Sequence, residues 1–128
     1  MTKVAYVDGS YIQKTGMYVY AWLEEGGMQW VEGQKANKFT KPPSSHYAEY
    51  LAIFSFIPAH MNEDWILRTD SNLVYNQLIG KYKVHASALQ NIHNEVKELL
   101  EGEPGIKLEL IRSRDNLADK AIKESLKD

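Results

Sequence analysis

Trp65-Ile66-Leu67-Arg68-Thr69-Asp70 is the stretch on which the reading of this chain turns: a short apolar run that closes on an aspartate, just behind a helical segment. Its length and its bulky residues read as a strand over Trp65–Thr69. A second run of the same kind, Lys3 to Val7, opens the chain and ends at Asp8, ahead of Gly9 and Ser10. A helical crossover joins strands of one sheet in parallel. Neighbouring strands lie about 4.8 Å apart, so as parallel neighbours these two would present Asp8 and Asp70 side by side. Carboxylates that close raise each other's pKa unless a cation lies between them. Oxygen-only ligands suit a hard ion such as Mg²⁺ or Mn²⁺, which keeps several waters and accepts phosphate oxygens.

The remaining elements follow from local signals. Two β-rich runs, Met17 to Leu23 and Met28 to Gly33, flank Gly26-Gly27, a dipeptide that supplies the positive φ of a hairpin turn. Pro42 and Pro43 end that meander, and Ser44 or Ser45 can cap a helix whose Tyr47, Leu51, Phe54 and Ile57 share one face and which Pro58 stops. Glu49 falls off that stripe and is free to point elsewhere. Behind Asp70 comes a short helix near Asn72 to Ile79 with a break at Gly80, then a longer helix carrying Leu89, Ile92, Val96 and Leu99. The turn from Gly102 to Gly105 precedes a last strand in which Ile106, Leu108 and Leu110 alternate with polar residues. Asp115 is read as the cap of a final helix bearing Leu117, Ala121, Ile122 and Leu126.

Composition sets the outer bounds. The chain has 128 residues, enough for one domain spanning 1–128 with a core of its own. It opens on Met1 and closes in a helix, and it reads as an independent, monomeric protein. Without a cysteine it has neither disulfides nor a thiolate metal site, and a cytoplasmic home is expected. No stretch approaches the roughly 20 apolar residues of a membrane span. A net charge of −2 gives no general basic field. Contact with a polyanion would therefore rest on local clusters: Lys35, Lys38 and Lys41, or Lys81 and Lys83.

The acids take on meaning together. Tyr6-Val7-Asp8-Gly9-Ser10, Ser44-Ser45-His46-Tyr47-Ala48-Glu49, Thr69-Asp70-Ser71-Asn72 and Asn116-Leu117-Ala118-Asp119 resemble, in order and spacing, the four acidic motifs of type 1 ribonuclease H. The resemblance covers almost the whole chain. It implies an α/β, ribonuclease H-like fold: a five-stranded mixed sheet in the order 3-2-1-4-5, flanked by helices. It also implies an endonuclease that hydrolyses the RNA strand of RNA-DNA hybrids. Asp8, Glu49, Asp70 and Asp119 would then hold two Mg²⁺ ions, with Mn²⁺ as a substitute. One ion would activate the attacking water and the other stabilise the leaving 3′ oxygen, in the arrangement where cations about 4 Å apart clamp an in-line displacement.

Substrate contacts carry over by position. Ser44 is aligned with the family's phosphate-binding threonine, with a helix cap as its alternative role. Ser45 and Asn72 fall where the family has amide side chains near the RNA backbone, and Ser71, Gly9 and Ser10 belong to matched motifs. Short polar side chains suit the 2′-hydroxyls of an RNA strand.

Three departures stand out. Tyr11 to Gly16 replaces the family's glycine- and asparagine-rich loop. Only Gly80 to Val84 separates the middle helices, so Lys81 and Lys83 are a remnant of the basic handle of the familiar bacterial form, as in archaeal-like members. No histidine lies between Ile111 and Asp119; Arg112 or Arg114 is expected in place of the loop histidine, with Arg114 counted among the catalytic residues.

His46, His60, His85 and His93 share no metal-ligand spacing and are assigned to surface or packing roles. Tyr18, Tyr20, Trp22 and Trp30 are assigned to sheet packing, with a nucleic-acid stacking platform as the other reading. A 3′ exonuclease of the same fold fits less well, because Asp8-Gly9-Ser10 lacks the Asp-x-Glu of that branch, and a transposase or integrase would bring extra domains. A non-catalytic module that binds hybrid or double-stranded RNA stays open, although such a relative would be expected to lose an acid.

Overall fold

The computed structural model describes residues 2–127; Met1 and Asp128, the ends of the expected domain, lie outside them. Five strands form one mixed sheet in the order β3-β2-β1-β4-β5, as expected. β1 (Lys3–Ile12), β2 (Met17–Glu24) and β3 (Gln29–Lys35) make an antiparallel meander, whereas β4 (Trp65–Thr69) and β5 (Ile106–Leu110) add in parallel beyond β1. The hairpin turn between β2 and β3 places Gly26 at φ +73°.

Helices cover both faces. α1 (Ser45–Ala59), α2 (Asn72–Leu78) and α3 (Ser87–Glu101) lie on one side, and α4 (Leu117–Ser125) packs against β1, β2 and β3 on the other. The larger core joins Ala5, Val7, Trp22 and Leu67 of the sheet to Tyr50, Ile53, Phe56 and Val96 of the helices. A smaller one sets Ala121 and Ile122 of α4 against Val19 and Ala21. Tyr18, Tyr20 and Trp22 are buried, and the half-exposed Trp30 stacks on Trp22, so the hairpin aromatics pack the sheet. Among the described residues no helix is long and apolar enough to cross a membrane.

Several boundaries differ from the expectation, each for a physical reason. β1 does not end at Asp8 but runs on to Ile12, because its antiparallel partner β2 accompanies it to the Ile12–Met17 pair after β4 has stopped. Tyr11 and Ile12 are therefore strand, not loop. Pro58 sits inside the last turn of α1 rather than stopping it; so near the end its missing N–H removes a single bond. Phe54 is exposed, since α1 is wedged between the sheet and α3 and buries Tyr50, Ile53 and Phe56 across a broad arc instead of a narrow stripe. Asp115 belongs to a short 3-10 turn, and Asn116 caps α4, its Oδ1 accepting from the Ala118 N–H at 3.0 Å. Ser44 holds the cap position of α1 without a side-chain cap bond.

Candidate active site

The parallel register pairs Tyr6 with Arg68, and two residues further along each strand lie Asp8 and Asp70. Glu49 reaches them from above the sheet. Its approach depends on Gly9, where an added Cβ would overlap the backbone of Ala48 and Glu49. Only a residue without a side chain lets the first turn of α1 settle that close to β1. One carboxylate oxygen from each of Asp8, Glu49 and Asp70 then lies within 4.8 Å of the others.

The polar neighbours hold these acids in place. The Gly9 N–H donates to Asp8 Oδ1 at 3.0 Å, and His46 Nδ1 lies 3.3 Å from Glu49 Oε2, one turn earlier on α1. Asn116 is buried and donates through Nδ2 both to the Val7 carbonyl, at 2.9 Å, and to Asp70 Oδ2, at 3.1 Å. A single amide thus fastens the start of α4 to β1 and to the end of β4. Burial and then the charge of Asp70 push the Asp8 carboxyl up to about 8, with smaller contributions from Glu49 and Asp119 against the Gly9 bond. Burial also raises Asp70, opposed by the Asn116 bond and reinforced by Glu49 and Asp119. Without a cation Asp8 and Asp70 therefore hold a proton more readily than an ordinary aspartate. The Glu49 carboxylate in turn raises the pKa of His46.

Asp119 is placed differently from the other three. It lies in the first turn of α4, outside the close group, and Lys123 Nζ pairs with it at 2.9 Å. Its charge nevertheless reaches Asp8 and Asp70.

The other expected contacts fall into two sets. Gly9 is buried under α1, and the buried Ser71 caps α2, its Oγ accepting from the Val74 N–H at 3.2 Å. Ser45 Oγ accepts from the Tyr11 N–H at 3.0 Å and so ties α1 to the far end of β1. Asn72, exposed at the start of α2, accepts from Asn76 Nδ2. Ser10 and Ser44 are half-buried near the carboxylates' end of the sheet. Lys81 and Lys83 stand exposed between α2 and α3; Arg112 pairs with Asp115 at 3.6 Å, and Arg114 is exposed in the turn before α4.

His46, expected only at the surface or in packing, contacts Glu49; Asn116, quoted only as part of a motif, and Lys123, given no role, contact Asp70 and Asp119. Each carried a signal: His46 precedes Glu49 by three residues, Lys123 follows Asp119 by four, and Asn116 is a strong cap type. His60 and His93 are buried in packing roles, as assigned. His60 stacks on Phe56 with Nε2 2.7 Å from Glu24 Oε2, and His93 meets the Tyr50 hydroxyl at 3.1 Å.

The family model described as reverse transcriptase-like matches residues 7–124, which spans all four acids. The chain belongs to the reverse transcriptase-like family. Among solved structures, this family member is similar to a ribonuclease H1 from the halophilic archaeon Halobacterium salinarum, at 23% identity and TM-score 0.81 over 98% of both chains. It is also similar to LC11-RNase H1, solved in complex with an RNA/DNA hybrid, at 18% identity and TM-score 0.74 over 98% of this chain and 99% of that one. A third is the N-terminal RNase H domain of a Mycobacterium tuberculosis protein, solved as a fusion with maltose binding protein, at 18% and 0.74 over 97% and 95%. Among curated proteins, no sequence matches. The fold of this reverse transcriptase-like chain is that of ribonuclease H1, as the four motifs implied.

Proposed function

We propose that this protein is a metal-dependent endonuclease that hydrolyses the RNA strand of RNA-DNA hybrids. The observation that carries the reading is the convergence of Asp8, Glu49 and Asp70 oxygens within 4.8 Å, from three elements, at a place where burial and mutual repulsion hold protons on carboxylates. A hard divalent cation relieves that repulsion, and an all-carboxylate donor set is its chemistry. The hybrid bound to LC11-RNase H1, a structure of the same fold, supports the substrate.

Asp8, Glu49, Asp70 and Asp119 are the residues that would hold two Mg²⁺ or Mn²⁺ ions. When bound, such ions supply a nucleophilic water at neutral pH and neutralise charge on the leaving oxygen. The chain's own groups do the positioning. Asn116 fixes the rotamer of Asp70, and His46 holds Glu49 against β1. Asp119, paired with the exposed Lys123, would have to give up that pairing to help hold an ion. Ser10, Ser44, Ser45 and Asn72 are assigned to the RNA backbone and its 2′-hydroxyls. Lys81, Lys83 and Arg112 are assigned to phosphates, and Arg114 to the departing product.

The test is cleavage of a labelled hybrid in Mg²⁺ and in Mn²⁺, beside Asp70→Asn and with single-stranded and duplex RNA as controls. Cutting confined to the RNA strand of the hybrid, dependent on metal and lost in the variant, is the expected result. A wild-type protein that binds hybrid but leaves it intact in both metals would overturn the assignment as an enzyme.

A further inference from the structure

Three long segments of this chain contain lysines and no carboxylate at all: residues 9–23, with Lys14, residues 33–48, with Lys35, Lys38 and Lys41, and residues 71–94, with Lys81 and Lys83. In a chain with 17 acidic residues and a net charge of −2, such segments are pools of uncompensated positive charge. The fold brings the first two together. Met17 pairs with Lys35 across the β2–β3 ladder, and the Ala36 N–H donates to the Gly16 carbonyl at 2.9 Å. Between them opens a cleft lined by Tyr11, Gly16, Lys35, Asn37, Lys38 and Lys41. Lys35, Lys38 and Lys41 are exposed, as is Lys14 in the β1–β2 turn. Among the described residues none of the four has a carboxylate within 4.0 Å, whereas Lys3 and Lys123 both do.

The walls of the cleft are fixed. Asn37 and Thr40 cap each other across the turn that carries Lys38, with bonds of 2.8 Å from the Phe39 N–H to Asn37 Oδ1 and 3.1 Å from the Asn37 N–H to Thr40 Oγ1. The buried Tyr18 hydroxyl donates to the Thr40 carbonyl at 3.3 Å, and the Tyr11 backbone is tied to Ser45. Tyr11 stands three residues beyond Asp8 on the same strand, about 10 Å at the rise of a β-strand. A duplex carries one phosphate per strand for each 3.4 Å of its axis, so one seated on the carboxylates extends well beyond that distance.

We propose that Lys35, Lys38 and Lys41, with Lys14, form a docking site for the sugar-phosphate backbone of a nucleic-acid duplex seated across the carboxylate cluster. The site is separate from Lys81 and Lys83, which lie between α2 and α3; the proposal rests on the nuclease reading for the identity of the duplex. Each phosphate neutralised there releases counterions, and the slope of log affinity against log salt steepens by roughly 0.9 per contact.

The experiment titrates an RNA-DNA hybrid into Asp70→Asn protein, with and without Lys35→Glu, Lys38→Glu and Lys41→Glu together, between about 50 and 200 mM salt. A thermal melt first checks that the triple variant is folded, and Lys107→Gln, at the start of β5, is the control. The triple variant is expected to lose affinity by about tenfold or more and to flatten the salt slope by about 2 to 3, while the control keeps both. An unchanged slope and affinity in the folded triple variant, or no hybrid binding by the parent protein, overturns the docking site. Cleavage by the chain with Asp70 intact is scored separately. Loss of slope without any cleavage sustains the docking site and refutes the nuclease, and cleavage with an unchanged slope does the reverse.

Discussion

Gly9 shows how one residue positions a site. Its missing side chain is the space into which the Ala48–Glu49 backbone fits. Backbone cannot swing aside as a flexible side chain can, so Gly9→Ala is expected to cost about 2 to 3 kcal/mol, read as a lower urea midpoint. The same variant should lose much of any Mn²⁺-induced thermal shift, because Glu49 is carried away from Asp8. An unaltered midpoint would mean that α1 does not sit as close as described. Asp70→Asn has the opposite sign. Its charge is the largest electrostatic contribution to the raised Asp8 pKa, second only to burial. At pH 8 without divalent metal, the variant should melt a few degrees higher, on the order of 1 kcal/mol, while losing the response to Mn²⁺. A lower melting temperature in metal-free buffer would show that the Asn116 bond, not repulsion, dominates at this position.

At the scale of elements, α1 is the organiser. Tyr50 on α1 donates to Gln77 Oε1 of α2 at 2.6 Å and lies 3.1 Å from His93 Nδ1 of α3, so one buried hydroxyl joins three helices. Burial and then Lys97 lower the pKa of His93 below its ordinary 6.5. The folded state thus prefers the neutral ring, facing the Tyr50 hydroxyl and Gln77 with Lys97 nearby on its own helix. The stability this contributes is complete above pH 6.5 and is lost as the pH falls through the lowered value. The drop in melting temperature from pH 7 to pH 5 should therefore be smaller in His93→Gln than in the parent chain. An equal drop in the two proteins would remove His93 from the acid response. The stripe of α3 was legible because that helix is wet on its outer side, so its apolar residues must repeat at helical spacing. The stripe of α1 was misread at Phe54 because a helix packed on two sides gives no single-face period.

For the molecule as a whole, the candidate ligands come from both faces of the sheet: Glu49 from α1 on one side and Asp119 from α4 on the other. A cation held by all four would stabilise the entire fold, by about 2.7 kcal/mol at a concentration one hundred times its Kd. A single cooperative transition should move up with Mn²⁺, and the shift should shrink in Asp119→Asn; the same shift in both would leave α4 outside the cation site. The order of elements, the five strands and the neighbouring ends of β1 and β4 were determined by the sequence alone, since runs, turns and crossovers are set by residues close together in the chain. So was the set of four acids, through the motifs that surround them. What only the tertiary structure decided is how the acids are held. Asn116 reaches Val7 and Asp70 across 109 and 46 residues, Gly9 is required by the path of a helix that begins 36 residues later, and Asp119 turns to Lys123 instead of the cluster. These outcomes depend on how closely helix and sheet surfaces approach, a distance fixed by the packed core and not by any local pattern of residues.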